Sequence, residues 1–239
     1  MRTEADLQLV DALVIPGGES TTMALVAERS GLLKPLQQWI ASGRPVWVRS
    51  GLGCRATEPR RNLFRQHEAP DAAGTQGTCA GMIMIAKEAE HTKEGGQQLL
   101  GVMDIKVSRN YFGSQVRPLT WQACLSALNS AHRLTNVPIR GYYFHSQIDS
   151  FIADLPIPAL GEAPFPAVFI RAPIVLAAGK DVEVLAQLPN RAPGEPSIVA
   201  VRQGVLLATA FHPELTDETR VHKYFVNMAR GAKGLLALP

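Results

Sequence analysis

Near its start the chain carries a short apolar run that a proline and two glycines cut off, with hydroxyl side chains close behind. Residues 11–15 (Asp-Ala-Leu-Val-Ile) predict a buried strand, and residues 16–18 (Pro-Gly-Gly) end it. Ser20 and the two threonines after it favour a helix that starts there, runs to about Arg29 and stops at Gly31. A strand that turns this sharply into a helix indicates an α/β fold.

The same pattern returns along the chain. Residues 33–41 predict a second helix, residues 44–48 a second buried strand, and residues 205–211 a late apolar strand. A final helix, capped by Thr216 or Asp217, places four apolar side chains on one face: Val221, Tyr224, Phe225 and Met228. Strands that alternate with helices predict a mostly parallel sheet covered on both sides, with its chemistry at the carboxyl ends of the strands.

Composition narrows the class further. A chain of 239 residues, 46% hydrophobic and 19% charged, is long and apolar enough for the core of one globular domain. Apolar runs stay below the roughly 18 residues of a membrane span, and the residues after Met1 do not form a secretory signal. Three cysteines do not make a disulfide framework, so we expect a protein of the reducing cytoplasm that does not act at a membrane.

A cysteine and a histidine–glutamate pair stand at two of the predicted turns. Cys79 lies between glycines, just before an apolar run over residues 82–89 that predicts a helix. His212 and Glu214 follow the run over residues 205–211, and in an extended chain their side chains lean to the same side. A cysteine nucleophile at a helix start needs a base, and the base needs an acid that orients it. We therefore predict a catalytic set of Cys79, His212 and Glu214.

Five motifs occur in one order along the chain. They are residues 17–21 (Gly-Gly-Glu-Ser-Thr), 77–81 (Gly-Thr-Cys-Ala-Gly), 109–113 (Arg-Asn-Tyr-Phe-Gly), 169–173 (Phe-Ile-Arg-Ala-Pro) and 211–215 (Phe-His-Pro-Glu-Leu). With these motifs in register, the chain resembles the glutaminase subunits of pyridoxal 5′-phosphate synthase, which are class I glutamine amidotransferases. The resemblance implies an α/β, flavodoxin-like three-layer sandwich with a mostly parallel sheet. It also implies hydrolysis of L-glutamine to glutamate and ammonia, and a partner synthase subunit that uses the ammonia to build pyridoxal 5′-phosphate.

The resemblance further implies which residues contact glutamine: Gly18, Glu19, Ser20, Arg109, Ile170 and Arg171. Backbone N–H groups near Gly18 and after Cys79 are candidates for an oxyanion hole, because glycine permits a close approach of the backbone. The other five histidines show no metal-ligand spacing, so we expect neither a metal nor a cofactor, and we expect His222 merely to decorate the last helix.

The chain departs from the family pattern in three places. About fifteen residues precede Pro16, where the family has a further strand, turn and helix. Residues 48–76 and 116–147 are inserts, and excising both rejoins the motifs at Trp47–Gly77 and Gln115–Ile148. We expect both inserts to lie outside the core of a single amidotransferase domain that spans residues 1–239.

Two origins of the inserts stay open. Both begin with Val-Arg and end with Gln. Valine codons start with GT and one glutamine codon is CAG, and these are the bases that begin and end an intron. Both segments are therefore candidates for translated retained introns. The alternative is two genuine loop insertions, which proteins tolerate well. The inserts hold eight arginines against three acids, so the net charge of +3 comes from them and is poor evidence for nucleic-acid binding.

Two other functions remain open beside the glutaminase. One is a catalytically impaired or inactive family member, truncated or mis-spliced, that acts at most as a binding partner. The other is a different cysteine hydrolase on the same sheet architecture, against which the motifs at residues 109–113 and 169–173 argue.

Overall fold

The fold is built around a sheet whose strands come from both ends of the chain. The computed structural model describes residues 3–18, 20–49, 80–90, 98–109, 111–113, 150–170, 172–189 and 191–234. In chain order the elements are α1 (Glu4–Gln8), β1 (Leu13–Ile15), α2 (Ser20–Arg29), α3 (Leu33–Ala41), β2 (Val46–Val48), α4 (Ala80–Ile85), β3 (Ala86–Glu90), β4 (Met103–Ser108), β5 (Ser150–Leu155), β6 (Phe165–Ile170), β7 (Ile174–Ala178), β8 (Glu183–Gln187), β9 (Ile198–Gln203), β10 (Leu206–Thr209) and α5 (Arg220–Ala232).

The main sheet has the order β1-β2-β10-β9-β7-β4-β3, with β8 also paired to β9. Strand β2 pairs in parallel with β1 on one side and β10 on the other, and β3 pairs in parallel with β4. Antiparallel strands β7, β8 and β9 complete the sheet, while β5 and β6 form a separate antiparallel hairpin. The predicted α/β class is confirmed, and the predicted strands over residues 11–15, 44–48 and 205–211 are present as β1, β2 and β10.

Helices cover both faces of the sheet, as predicted. Adjacent residues of a strand point to opposite faces, so Trp47 and Val48 of β2 mark the two sides. The Trp47 ring lies edge-on to His222 and 5.7 Å from the Phe225 ring, both on α5. On the other side, α4 passes so close that a Cβ atom at Gly81 would stand 3.1 Å from the Val48 Cβ. The sheet is therefore the middle of three layers.

Register brings the end of β4 and the end of β10 to the same row of the sheet, which the two strands approach from opposite sides. Ser108 at the end of β4 pairs with Ile174, and the next residue of β7, Val175, pairs with Ile198. Ala210, directly after β10, donates its N–H to the carbonyl of Val199 at 2.9 Å. These residues form one row across the sheet, so Arg109 and His212 both follow strands that end at this row.

The helix predicted over residues 82–89 is wrong in its second half. The chain leaves α4 after Ile85 and continues as strand β3. The carbonyls of Met84 and Ile85 accept hydrogen bonds from the N–H groups of Leu100 and Val102, which takes them away from a further helical turn. Pairing with β4 thus outweighs the helix propensity of residues 86–90.

The last helix starts later than predicted. Thr216 closes a 3-10 turn by donating its hydroxyl to the Pro213 carbonyl, and α5 begins at Arg220. The carboxylate of Glu218 accepts from the Arg220 backbone N–H at 3.0 Å, so Glu218 satisfies the helix start in place of Thr216 or Asp217. The predicted apolar face is correct, since Val221 and Phe225 are buried.

The expectation that residues 48–76 lie outside the core is wrong at their first residue. Val48 is the last residue of β2 and is fully buried. Arg49 continues the ladder by donating its backbone N–H to the Ile15 carbonyl at 3.1 Å. Residues 50–76 and 116–147, which make up the rest of the two inserts, lie outside the described residues.

Gly81 offers a test of the close packing between α4 and the sheet. A Cβ at this position would stand 3.0 Å from the Ile15 carbonyl oxygen and 3.1 Å from the Val48 Cβ, and both atoms belong to the paired strands β1 and β2. We expect Gly81→Ala to lower the free energy of unfolding by about 1 to 3 kcal/mol, as overpacked cores do. Urea denaturation measures it.

The matched control is Gly231→Ala in α5, where a Cβ would meet nothing within 4 Å. There alanine should leave stability unchanged or raise it by up to about 1 kcal/mol, because it is the better helix former. Equal effects of the two substitutions would contradict the packing assigned to α4.

Candidate active site

A histidine and a glutamate meet just beyond the carboxyl end of β10. The His212 backbone N–H donates to the Val168 carbonyl of β6 at 2.7 Å, which fixes the start of the segment. A 3-10 turn over Pro213–Leu215 then brings Glu214 back, so that its Oε1 lies 3.1 Å from the His212 Nδ1. Both side chains are only 12% exposed. The contact between them was predicted, but it arises from a turn and not from the extended chain that we expected.

The partner of His212 fixes which ring nitrogen carries the hydrogen. An ionised carboxylate only accepts hydrogen bonds, so the His212 Nδ1 is the protonated nitrogen of the neutral ring. The opposite nitrogen, Nε2, is buried and has no hydrogen-bond partner among the described residues. His212 therefore presents a basic nitrogen on the side that faces away from Glu214.

Arg49 approaches the same carboxylate from β2. Its Nη1 lies 2.5 Å from the Glu214 Oε2, and the two side chains are 11% and 12% exposed. Glu214 thus uses one oxygen for His212 and the other for Arg49. Sequence reasoning missed Arg49 because it assigned the residue to an insert, although its position directly after a buried strand was a usable signal.

His222 of α5 lies beside the Arg49–Glu214 pair and packs on Trp47, so the expectation that it merely decorates the last helix is wrong. Its ring meets the Trp47 ring edge-on, with centroids 5.0 Å apart, and the residue is partly buried. Burial lowers the pKa of His222 from its ordinary value of 6.5; the charge of Arg49 lowers it further, and Glu214 partly opposes the shift. The neutral ring is the favoured form beside the Arg49–Glu214 pair.

The other predicted contacts of the substrate stand at ends of strands. Gly18 follows β1, Ser20 is the fully buried first residue of α2, and Ile170 ends β6. Arg109 directly follows β4 and is 6% exposed. Cys79, Glu19 and Arg171 lie outside the described residues. Of the predicted catalytic set, the structure brings His212 and Glu214 together.

Two features are absent from the part of the chain that the structure describes. None of its acidic, cysteine and histidine side chains gather in threes as a metal site would need. No helix there combines the length and the apolar character required to cross a bilayer.

Comparisons with known proteins agree with the fold and with the family resemblance of the sequence. The sequence profile of the SNO glutamine amidotransferase family matches residues 1–54, 60–141 and 125–230. A pyridoxal 5′-phosphate synthase subunit PdxT from Herpetosiphon aurantiacus is 39% identical over 228 residues, which is 95% of this chain and 85% of that protein. A probable pyridoxal 5′-phosphate synthase subunit PDX2 from Arabidopsis thaliana is 36% identical over 253 residues, with 96% and 75% covered.

A crystal structure of a glutamine amidotransferase superposes with a TM-score of 0.62 at 31% identity and covers 96% of this chain and 84% of that one. The structure defines the class of protein: a three-layer α/β fold with a partly buried histidine–carboxylate pair at the end of a strand. Sequence similarity then places the chain within that class: it belongs to the SNO glutamine amidotransferase family.

The environment of His222 predicts a pH dependence of stability. Its pKa is lowered on folding, so below about pH 6.5 the unfolded chain binds the proton more readily than the folded one. Stability should therefore fall as the pH drops from 6.5 towards the folded pKa. His222→Phe keeps a ring against Trp47 and removes this proton, so its stability relative to the parent should rise in the same range. Urea midpoints from about pH 8 to 5 measure the difference.

Near pH 8, His222 is neutral in both the folded and the unfolded chain. The difference in urea midpoint between parent and variant at that pH therefore reports the change in packing alone. A difference between parent and variant that stays constant down to pH 5 would contradict the assigned environment.

Proposed function

We propose that this protein is the glutaminase subunit of a pyridoxal 5′-phosphate synthase, and that it hydrolyses L-glutamine to glutamate and ammonia. The observation that carries the proposal is the partly buried His212–Glu214 pair, whose Nδ1–Oε1 contact leaves the His212 Nε2 for chemistry. It stands in a chain that shares 39% identity with a subunit of that synthase over 95% of its length.

The proposed reaction uses Cys79 as nucleophile and His212 as base and acid. The thiolate of Cys79 attacks the side-chain amide carbon of glutamine, and a carbon–sulfur bond forms. The Nε2 of the His212 imidazolium protonates the departing nitrogen, which leaves as ammonia when the carbon–nitrogen bond breaks. Nε2 then takes a proton from water, whose oxygen attacks the thioester carbon. The carbon–sulfur bond breaks, which releases glutamate and regenerates the Cys79 thiolate beside the His212 imidazolium. Glu214 keeps the Nδ1 hydrogen in place and stabilises the imidazolium.

The proposed substrate contacts are Gly18, Glu19, Ser20, Arg109, Ile170 and Arg171. Two features of the described members support the assignment. Arg109 is buried and directly follows β4 at the row where β4 and β10 end, and a guanidinium matches the planar carboxylate of glutamine. Backbone near Gly18 and the start of α2 supplies N–H groups beyond the end of β1, which is level with the end of β10 across β2, and an oxyanion would be stabilised there.

We propose a single amidotransferase domain over residues 1–239, with inserts at residues 48–76 and 116–147. The match to the family profile is interrupted at residues 55–59, inside the first insert, and covers residues 125–141 twice, inside the second. Both irregularities support the proposal. The protein partner would be the synthase subunit, which receives the ammonia in the cytoplasm.

The alternative is an impaired family member that keeps the partner surface without turnover. One observation favours it: the chain leaves β2 through Arg49, and residues 50–78 separate it from Cys79. Turnover by the purified chain together with a synthase subunit distinguishes the two.

Replacement of the proposed nucleophile is the direct test. Cys79→Ala should abolish glutamate and ammonia release, by at least about a thousandfold, while the circular dichroism spectrum and urea midpoint stay as in the parent. Cys54→Ala is the matched control and should retain the parent rate. Hydrolysis that survives Cys79→Ala and disappears with Cys54→Ala would assign the wrong thiol.

The second insert should be dispensable for folding. The rings of Phe112 and Phe151 meet with centroids 5.0 Å apart, so the two ends of the segment between them are already close. Deleting residues 116–147 leaves six residues to join them, which is an ordinary loop length. We expect the shortened chain to be at least as stable and more soluble, as measured by urea denaturation and by the soluble fraction on expression. A shortened chain that does not fold would show the segment to be a structural part.

A further inference from the structure

We propose that Arg49 is a positioning residue of the active site, which holds the Glu214 carboxylate in the one orientation that orders His212. The inference rests on the proposed function, because it assigns a role within the same catalytic set. It concerns a residue that lies in the first insert and outside all five motifs.

The geometry gives each oxygen of Glu214 a different partner. Oε2 lies 2.5 Å from the Arg49 Nη1, and Oε1 lies 3.1 Å from the His212 Nδ1. The carboxylate is attached to a short 3-10 turn, and its χ torsions alone would let it swing away from the ring. With Oε2 held, rotation of the carboxylate is stopped and Oε1 stays opposite Nδ1.

Arg49 is itself fixed at its backbone. Its N–H donates to the Ile15 carbonyl at 3.1 Å, and α4 packs so closely that a Cβ at Gly81 would stand 3.3 Å from the Arg49 nitrogen. The guanidinium therefore projects from a rigid strand end. A restraint that joins a strand end to a turn transmits the rigidity of the sheet to Glu214.

Burial makes the restraint effective. The Arg49 and Glu214 side chains are 11% and 12% exposed, so solvent screens their attraction far less than at a surface. Loss of one partner would leave the other buried without its counter-charge, which is strongly unfavourable. Glu214 would then turn towards water, and the His212 Nδ1 hydrogen would lose its acceptor.

Kinetics of Arg49→Met with glutamine, in the presence of the synthase subunit, test the proposal. Misorientation of a base commonly costs between tenfold and a hundredfold in rate, so we expect kcat to fall at least about tenfold with KM changed less than about twofold. Arg49→Lys restores the charge through one donor and should recover part of kcat. In a Glu214→Gln background, Arg49→Met should have no further effect, because the group that it positions is gone.

Arg44→Met is the matched control. Arg44 stands just before the opposite end of β2, is partly buried, donates to the Val10 carbonyl at 3.0 Å and lies over the Trp39 ring. Its loss should lower the urea midpoint without changing kcat. An unchanged or increased kcat in Arg49→Met, or an equal loss in the parent and Glu214→Gln backgrounds, would overturn the proposal.

A readout without turnover separates this proposal from the proposed function. In a Cys79→Ala protein, proton NMR should show a His212 Nδ1 hydrogen that exchanges slowly with water, assigned by its absence in His212→Gln. Arg49→Met should abolish that resonance, while Arg49→Lys should keep it at lower intensity. The lysine variant keeps the test decisive if the methionine variant does not fold. If the parent chain lacks glutaminase activity but the resonance depends on Arg49, only the proposed function fails. If the resonance survives unchanged in both Arg49 variants, the positioning role fails.

Discussion

Pairing of β2 between β1 and β10 is the interaction on which the site depends. It joins residues 13–15, 46–48 and 206–209 in one parallel set, so three distant turns leave the sheet at the same edge. Trp47 and Val48 stand at the centre of this set and are buried against helices on opposite faces. Trp47 is further tied to β10 by a hydrogen bond from its indole N–H to the Thr209 hydroxyl at 3.1 Å. Without this pairing, Arg49 and Glu214 would not be brought within contact distance of each other.

Sequence patterns predicted what depends on local chemistry. The apolar runs that became β1, β2 and β10 and the face of α5 follow from burial periodicity, and the closeness of His212 and Glu214 follows from their spacing. Patterns were less able to predict what depends on long-range pairing. Residues 86–90 form a strand because β4 arrives beside them, and α5 starts at Arg220 because Glu218 supplies its first hydrogen bond. Arg49 was missed because it was assigned to an insert, and its partner 165 positions away in the chain gave no local pattern to correct that assignment.

An aromatic cluster links the segment that follows β4 to the segment that follows β10. Phe112, in the turn after β4, contacts Phe151 of β5, which stacks on Phe169 of β6 with centroids 4.6 Å apart. Phe169 in turn meets Phe211, the residue before His212, at 6.0 Å. The segment that follows Arg109 and the segment that holds the base are thus packed through one continuous set of rings. Each ring in this set packs against the next, so a substitution at any of them would leave its neighbour without part of its packing.

The hydrogen bond from the His212 N–H to Val168 attaches the base to the β5–β6 hairpin, which lies outside the main sheet. Glu214, by contrast, is held through Arg49 by the main sheet itself. His212 also follows β10 of the main sheet, so the hairpin adds a second support to the segment that carries the base. A small displacement of the hairpin relative to the main sheet would lengthen the contact between the His212 ring and the Glu214 carboxylate. The alignment of the two side chains therefore depends on how the hairpin packs on the sheet.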